Sequence, residues 1–196
     1  MLTNTKNIKE SIIKLSPENK TNNPDSVVTG NSINNFSADP DVTLINSIGS
    51  IEQNKNTHYY SYGNFNLARL LMHIIKQTGP VHAFMTSYSF SNKSINAIQN
   101  RLEDKQLLSF KVIIDNRVKS MSPKPFQLLS TMFNYRCTSI HAKIALLWND
   151  NWKISIVTSQ NATDNPKLER GIIYTDPTVF DFDHKILTNE FNNGTT

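Results

Sequence analysis

The chain has 196 residues and a mass of 22.3 kDa, enough for one domain with a real core and too little for two of ordinary size. Hydrophobic residues make up 38% of it, so part of the sequence is expected to stay outside the core, and the net charge of +4 favours polyanionic partners. The single Cys137 excludes an internal disulfide, no Cys/His cluster has zinc spacing, and no stretch approaches the roughly 20 apolar residues of a membrane span.

Residues 1–56 are crowded with Asn, Ser, Thr, Asp and Lys, and their few apolar residues, such as Ile12, Ile13, Val27 and Val28, are scattered. Such a segment buries too little to offset its ordering entropy, and a flexible polar leader is expected over 1–56. A short helix at Ile8 to Leu15 or a strand near Val42 to Ile45 is the competing reading. From residue 57 apolar clusters recur between short polar breaks, which defines a folded domain over 57–196. Leu67, Leu70, Leu71, Ile74 and Ile75 recur at helical spacing within Phe65 to Gln77, and Gly79-Pro80 ends that helix. A strand follows over Val81 to Ser87, then a helix over Ser91 to Lys105, then a β-branched strand over Leu107 to Asp115. Pro123 and Pro125 bracket the start of a third helix near Phe126 to Phe133. Tyr135 to Ser139 reads as extended. His141 to Trp148 and Trp152 to Thr158 form a hairpin across Asn149-Asp150-Asn151. A strand over Arg170 to Thr175 and a helix from Pro177 to about Phe191 complete the chain. The order implies a mixed β-sheet flanked by helices, of the α/β class, with no tandem repeat.

His141 and Lys143 stand two apart on a strand, so their side chains leave one face and can converge on one anion. Ser159 and Asn161 share a face one hairpin later, and Glu169 follows just before the next strand. Each element is common by itself: a His-x-Lys pair arises often by chance, Ser-x-Asn is frequent in turns, and Glu169 alone reads as a surface carboxylate. Their joint order is what points to a phosphate site, with donors for nonbridging oxygens, a nucleophile, and a carboxylate to orient it.

The run His141-Ala142-Lys143, Thr158-Ser159-Gln160-Asn161 and Glu169 resembles the His-x-Lys, Gly-Ser-x-Asn and downstream Glu of the phospholipase D superfamily. Met85 to Phe90 and Phe110 to Asp115 resemble strand ends of its small bacterial endonucleases, and the similarity runs from about Phe65 to Phe191. Two positions depart from the pattern: Trp148 stands where the family has Asp, and Thr158 where Gly is usual. The resemblance implies a phospholipase D-like fold and a metal-independent phosphodiesterase without cofactor, acting on DNA or RNA through a phosphohistidine on His141. It further implies that Glu169 orients His141, that Lys143 and Asn161 stabilise charge on the phosphorus oxygens, and that Ser159 holds the network. With one motif per chain, it implies a homodimer that brings two copies of His141 together. Two other readings stand beside it, a phospholipid phosphodiesterase and a catalytically drifted nucleic-acid-binding module. No amphipathic membrane-binding segment is evident, and a soluble, cytoplasmic protein without stable membrane association is expected.

Other residues have plainer roles. His73 and His82 are expected to be structural, Trp148 and Trp152 to pack across the hairpin, and Tyr88 and Phe90 to shape the pocket or a dimer seam. His58 and His184 lack a Lys two residues on. Arg117, Lys119 and Lys124 surround a loop that either touches nucleic-acid backbone or forms a solvated patch.

Overall fold

The computed structural model describes residues 33–37, 44 and 48–196. Eight strands and five helices occur among these residues: β1 Ile33–Ser37, β2 Lys55–Ser61, α1 Leu67–Thr78, β3 Val81–Ser87, α2 Asn92–Glu103, β4 Leu107–Asp115, α3 Val118–Met121, α4 Pro123–Met132, β5 Asn134–Thr138, β6 Lys143–Trp148, β7 Lys153–Thr158, β8 Glu169–Tyr174 and α5 Pro177–Asn193. The strands form one mixed sheet in the order β1-β2-β8-β7-β6-β3-β4-β5. β3, β4 and β5 run parallel, whereas β6, β7 and β8 are antiparallel to their neighbours and β2 lies antiparallel to β8. This is the α/β architecture with flanking helices that the element order implies.

Local chemistry sets the boundaries. The Asn66 side chain accepts the Arg69 N–H at 3.0 Å to start α1, and Gly79, at φ 75°, closes it with its own N–H on Ile75 O at 3.1 Å. Ser91 caps α2, and Asp176 followed by Pro177 starts α5. One sheet face packs Ala83, Met85, Val112, Ile114, Ala145 and Ile156 against α1 and α2, burying the apolar stripe of each helix. On the opposite face Phe84, Ile113 and Leu146 meet Phe180, Leu187 and Phe191 of α5.

Much of the polar leader expected over 1–56 lies outside the described residues, as does the competing helix at 8–15. The part that is described is joined to the domain. β1 pairs in parallel with β2, and Ile48 and Ile51 are buried in the main core, where the Ile51 N–H donates to Gln77 Oε1 at 2.9 Å. β2 itself went unread in the sequence, because its polar residues Asn56, Thr57 and Ser61 are buried alongside Tyr59 and no apolar alternation marks it. The hairpin also begins later than expected: β6 starts at Lys143, leaving His141 in an irregular stretch before the strand.

The register gathers the strand ends. Thr86 pairs with Ile144, Lys143 with Thr158, Thr158 with Gly171, Ser87 with Ile114, and Asp115 with Thr138. The last residues of β3, β4 and β7 and the first of β6 and β8 therefore share one rim of the sheet. All five predicted site residues stand on or just beyond that rim.

Candidate active site

Lys143 is the innermost member. It is buried, and its ammonium donates to the His141 carbonyl at 2.8 Å while lying 3.1 Å from Nδ1 and 3.3 Å from Nε2 of the same ring. Burial lowers its pKa from the ordinary lysine value, and the nearby Glu169 carboxylate partly offsets that shift. His141 is exposed at the mouth. A compact cation is thus fixed beside an accessible imidazole.

Ser159 and Glu169 face each other across the β7–β8 junction. The Ser159 hydroxyl donates to Glu169 Oε2, and the Asn165 amide donates to Glu169 Oε1 at 2.9 Å. Ser159 Oγ in turn accepts the Arg170 N–H at 3.0 Å. Glu169 thus acts on Lys143 through space while its two oxygens are held by Ser159 and Asn165, and no hydrogen bond joins it to the His141 ring. Asn161 sits on the opposite side, where its Oδ1 accepts from the Tyr88 N–H at 3.2 Å and from the Ser87 hydroxyl at 3.4 Å. With the oxygen engaged, the amide NH2 is the group left to donate to a ligand.

Beneath the rim a buried polar bundle supports these residues. The Tyr59 hydroxyl donates to Gln160 Oε1 at 3.0 Å and lies 3.1 Å from Thr158 Oγ1, and burial raises its pKa above the ordinary tyrosine value. Gly171 makes room for it: a Cβ there would fall on the Tyr59 hydroxyl. Thr158, in place of the family glycine, keeps an ordinary extended backbone, and its hydroxyl donates to Arg170 O at 3.1 Å. Trp148, in place of the family Asp, lies at the far end of β6 from Lys143, stacked on His82 at 5.5 Å and edge-on to His184 at 5.3 Å.

The remaining histidines are engaged elsewhere. His73 Nε2 lies 3.1 Å from Gly49 O, His82 Nδ1 lies 2.8 Å from Ser109 Oγ, and His184 is stacked on Phe180. His58 receives Arg170 Nη2 at 3.3 Å on Nδ1, on the open sheet face. Among the described residues no three His, Cys, Asp or Glu side chains come together as metal ligands would.

One part of the rim was not anticipated from sequence. Asp115, buried at the end of β4, accepts from Arg117 N at 2.9 Å, Arg117 Nε at 2.7 Å and Arg117 Nη2 at 3.2 Å, and the backbone of Ile140, just before His141, adds a smaller stabilising effect. These donors, the Arg117 side chain foremost, hold its carboxyl below the usual carboxylate range against the effect of burial. The Arg117 guanidinium lies 5.0 Å from the Tyr88 ring centroid, and that ring lies 5.9 Å from the His141 ring. An Asp-x-Arg sequence closing a strand is too common to have marked this arrangement.

No family model matches the sequence, and no curated protein matches it. Solved structures do match. The polyphosphate kinase from Porphyromonas gingivalis superposes with a TM-score of 0.55 at 14% identity, covering 72% of this chain and 26% of that one. NucT from Helicobacter pylori superposes with a TM-score of 0.50 at 16% identity, covering 71% of this chain and 98% of that one. The chain thus spans about a quarter of the kinase and nearly all of NucT. At such identities the likeness is one of fold, and the fold is phospholipase D-like.

Proposed function

We propose that the chain is a phosphodiesterase of phospholipase D type acting on nucleic acid, with His141 as nucleophile. The observation that carries this reading is the meeting of His141 and the Lys143 ammonium at a rim where Ser159, Asn161 and Glu169 also converge. A neutral His141 ring nitrogen attacks phosphorus, the P–O bond to the leaving group breaks, and a general acid gives that oxygen its proton. Water, deprotonated by the same group, then attacks the phosphohistidine and releases the histidine. Lys143 and the Asn161 NH2 supply donors for the charge that grows on the nonbridging oxygens. Glu169 is assigned the orienting role on His141 in the substrate complex, where the phosphate draws the Lys143 ammonium off the ring; catalytic hydrogen bonds are often incomplete in the free enzyme.

Nucleic acid is favoured as substrate by the net charge of +4 and by a compact domain nearly coextensive with NucT. His141 cannot act as nucleophile and as acid in one step, His73, His82 and His184 are held away from the rim, and His58 faces Arg170 from within β2. The acid is therefore assigned to His141 of a second copy, in a two-fold dimer. A sheet face next to the site that no helix covers among the described residues supports this arrangement. Beyond α5 it continues over β7, β8 and β2, exposing Val157 at 38% and Tyr60 at 39%, with Leu168 at 56% beside Glu169.

The test is cleavage of single- and double-stranded DNA and RNA in the presence of EDTA. Activity should survive the chelator and vanish in His141→Ala. Strict dependence on added divalent cation, or turnover of phospholipid vesicles with none of nucleic acid, would overturn the reading.

A further inference from the structure

We propose that Arg117 is a second phosphate-binding group, which grips a backbone phosphate flanking the scissile one. The inference rests on the nuclease reading above and names a contact that the five motif residues do not supply.

Three observations point to it. First, the Arg117 side chain is 61% exposed, although the carboxylate that anchors it is only 3% exposed. A solvent-facing arginine ordinarily samples many rotamers. Here the buried Asp115 takes Nε and Nη2 in a forked pair, fixing the guanidinium plane and leaving the Nη1 N–H groups for another acceptor. Second, the Arg117 guanidinium lies over the Tyr88 ring, and that ring stands tilted at 53° beside the His141 ring, so the cation belongs to the mouth of the site. The separations of 5.0 and 5.9 Å place it within about 11 Å of His141, the span of roughly three stacked nucleotides at ~3.4 Å each. Third, the Asp115 carboxylate also feels the backbone of Ile140, next to the nucleophile, so the anchor of the cation lies against the loop that carries His141. Lys119, by contrast, already donates to Thr196 O at 3.1 Å.

An immobilised arginine within that span suits a polymeric phosphodiester, whose neighbouring phosphates can reach it while the scissile one is at His141. Binding is to be measured by fluorescence anisotropy with a labelled single-stranded oligonucleotide and the full chain carrying His141→Ala, so that nothing is turned over. Adding Arg117→Gln should weaken binding about tenfold and reduce the slope of log affinity against log salt by about 0.7, the loss of one phosphate contact to a single strand. Arg117→Lys, which keeps the charge, should restore most of the slope. If Arg117→Gln strands the buried carboxylate and fails to fold, Asp115→Asn/Arg117→Gln removes both charges and should show the same loss.

Turnover supplies the second arm. In the otherwise native chain, Arg117→Gln should lose at least about fivefold more kcat/KM on the oligonucleotide than on bis(para-nitrophenyl) phosphate, with the difference in KM. An equal fall in kcat on both substrates would mean that Arg117 merely orients Tyr88 and His141, and would overturn the proposal. So would an unchanged salt slope in a folded variant whose parent binds in a salt-dependent way. A parent chain that neither binds nor cuts the oligonucleotide would remove the nuclease reading and this proposal together.

Discussion

Lys143 carries two opposite pH dependences. Burial holds its pKa below the ordinary 10.5, so between the folded value and 10.5 the unfolded chain binds the proton more tightly, and fold stability rises with pH across that window. Catalysis needs the ammonium, so the alkaline limb of kcat/KM should fall below 10.5 while the protein remains folded. Glu169 raises the Lys143 pKa, so Glu169→Gln should move that limb to lower pH; a pH–rate profile of the two forms checks both statements. Lys143→Ala should lower kcat by a factor corresponding to about 3 kcal/mol of transition-state stabilisation. The five motif residues were legible in the sequence through their order and spacing: Lys143 and Glu169 open β6 and β8, whereas His141, Ser159 and Asn161 stand in irregular stretches beside the strands, so the strand periodicity expected of them does not hold there. Tyr59 was not, since its contacts with Thr158 and Gln160 join residues about a hundred positions apart, and nothing in the short Asp115-Asn116-Arg117 run marked Asp115 as a buried anchor. Gly171 illustrates the difference. Alanine there would drive Tyr59 off Thr158 and Gln160, and should cost roughly 1–3 kcal/mol by overpacking, measurable by urea denaturation.

At the scale of elements, segments with apolar periodicity were readable and polar ones were not. The stripe of α1, the β-branched run of β4 and the Asn149–Asn151 turn of the β6–β7 hairpin each carry their own signal. There the Asn149 side chain accepts the N–H groups of Asn151 and Trp152, both at 2.9 Å. β2 carries no such signal: it is extended because β8 pairs with it and because the hydroxyls of Tyr59 and Ser61 find buried partners. The segment before β2 has a similar dependence. Isolated Ile48 and Ile51 look like scattered apolar residues, yet both close the core over α1. Ile51→Ala should cost about 2 kcal/mol, near the low end for an isoleucine at the margin of a core. A truncation that starts the chain at Ile48 should retain its melting temperature better than one that starts at Thr57. Thermal melts of the two truncations make the comparison.

The described sheet divides into a parallel part, β3-β4-β5, and an antiparallel part, β2-β8-β7-β6, joined where β3 meets β6, with β1 parallel to β2 at the far edge. Every motif residue comes from the antiparallel part or the loop leading into it, whereas Asp115 ends a strand of the parallel part and Tyr88 and Arg117 follow its strands. The site is therefore a seam within the sheet. Sedimentation should give about twice 22.3 kDa, and Val157→Asp on the uncovered face should give a monomer that has lost activity. A monomer as active as the parent would place the general acid within one chain. The pairing of β2 with β8 has a consequence in time. Lys55 and Thr175, hydrogen-bonded at 2.9 Å beside these strands, are 120 residues apart, so this is among the costliest loops to close, and contacts of that span form slowly. In refolding followed by pulsed hydrogen exchange, amides of β3 and β4 should gain protection before those of β2 and β8. During synthesis, a chain whose β6–β7 hairpin has left the ribosome would already carry His141 and Lys143, yet stay inert until β8 emerges with Glu169 and captures a strand made more than a hundred residues earlier.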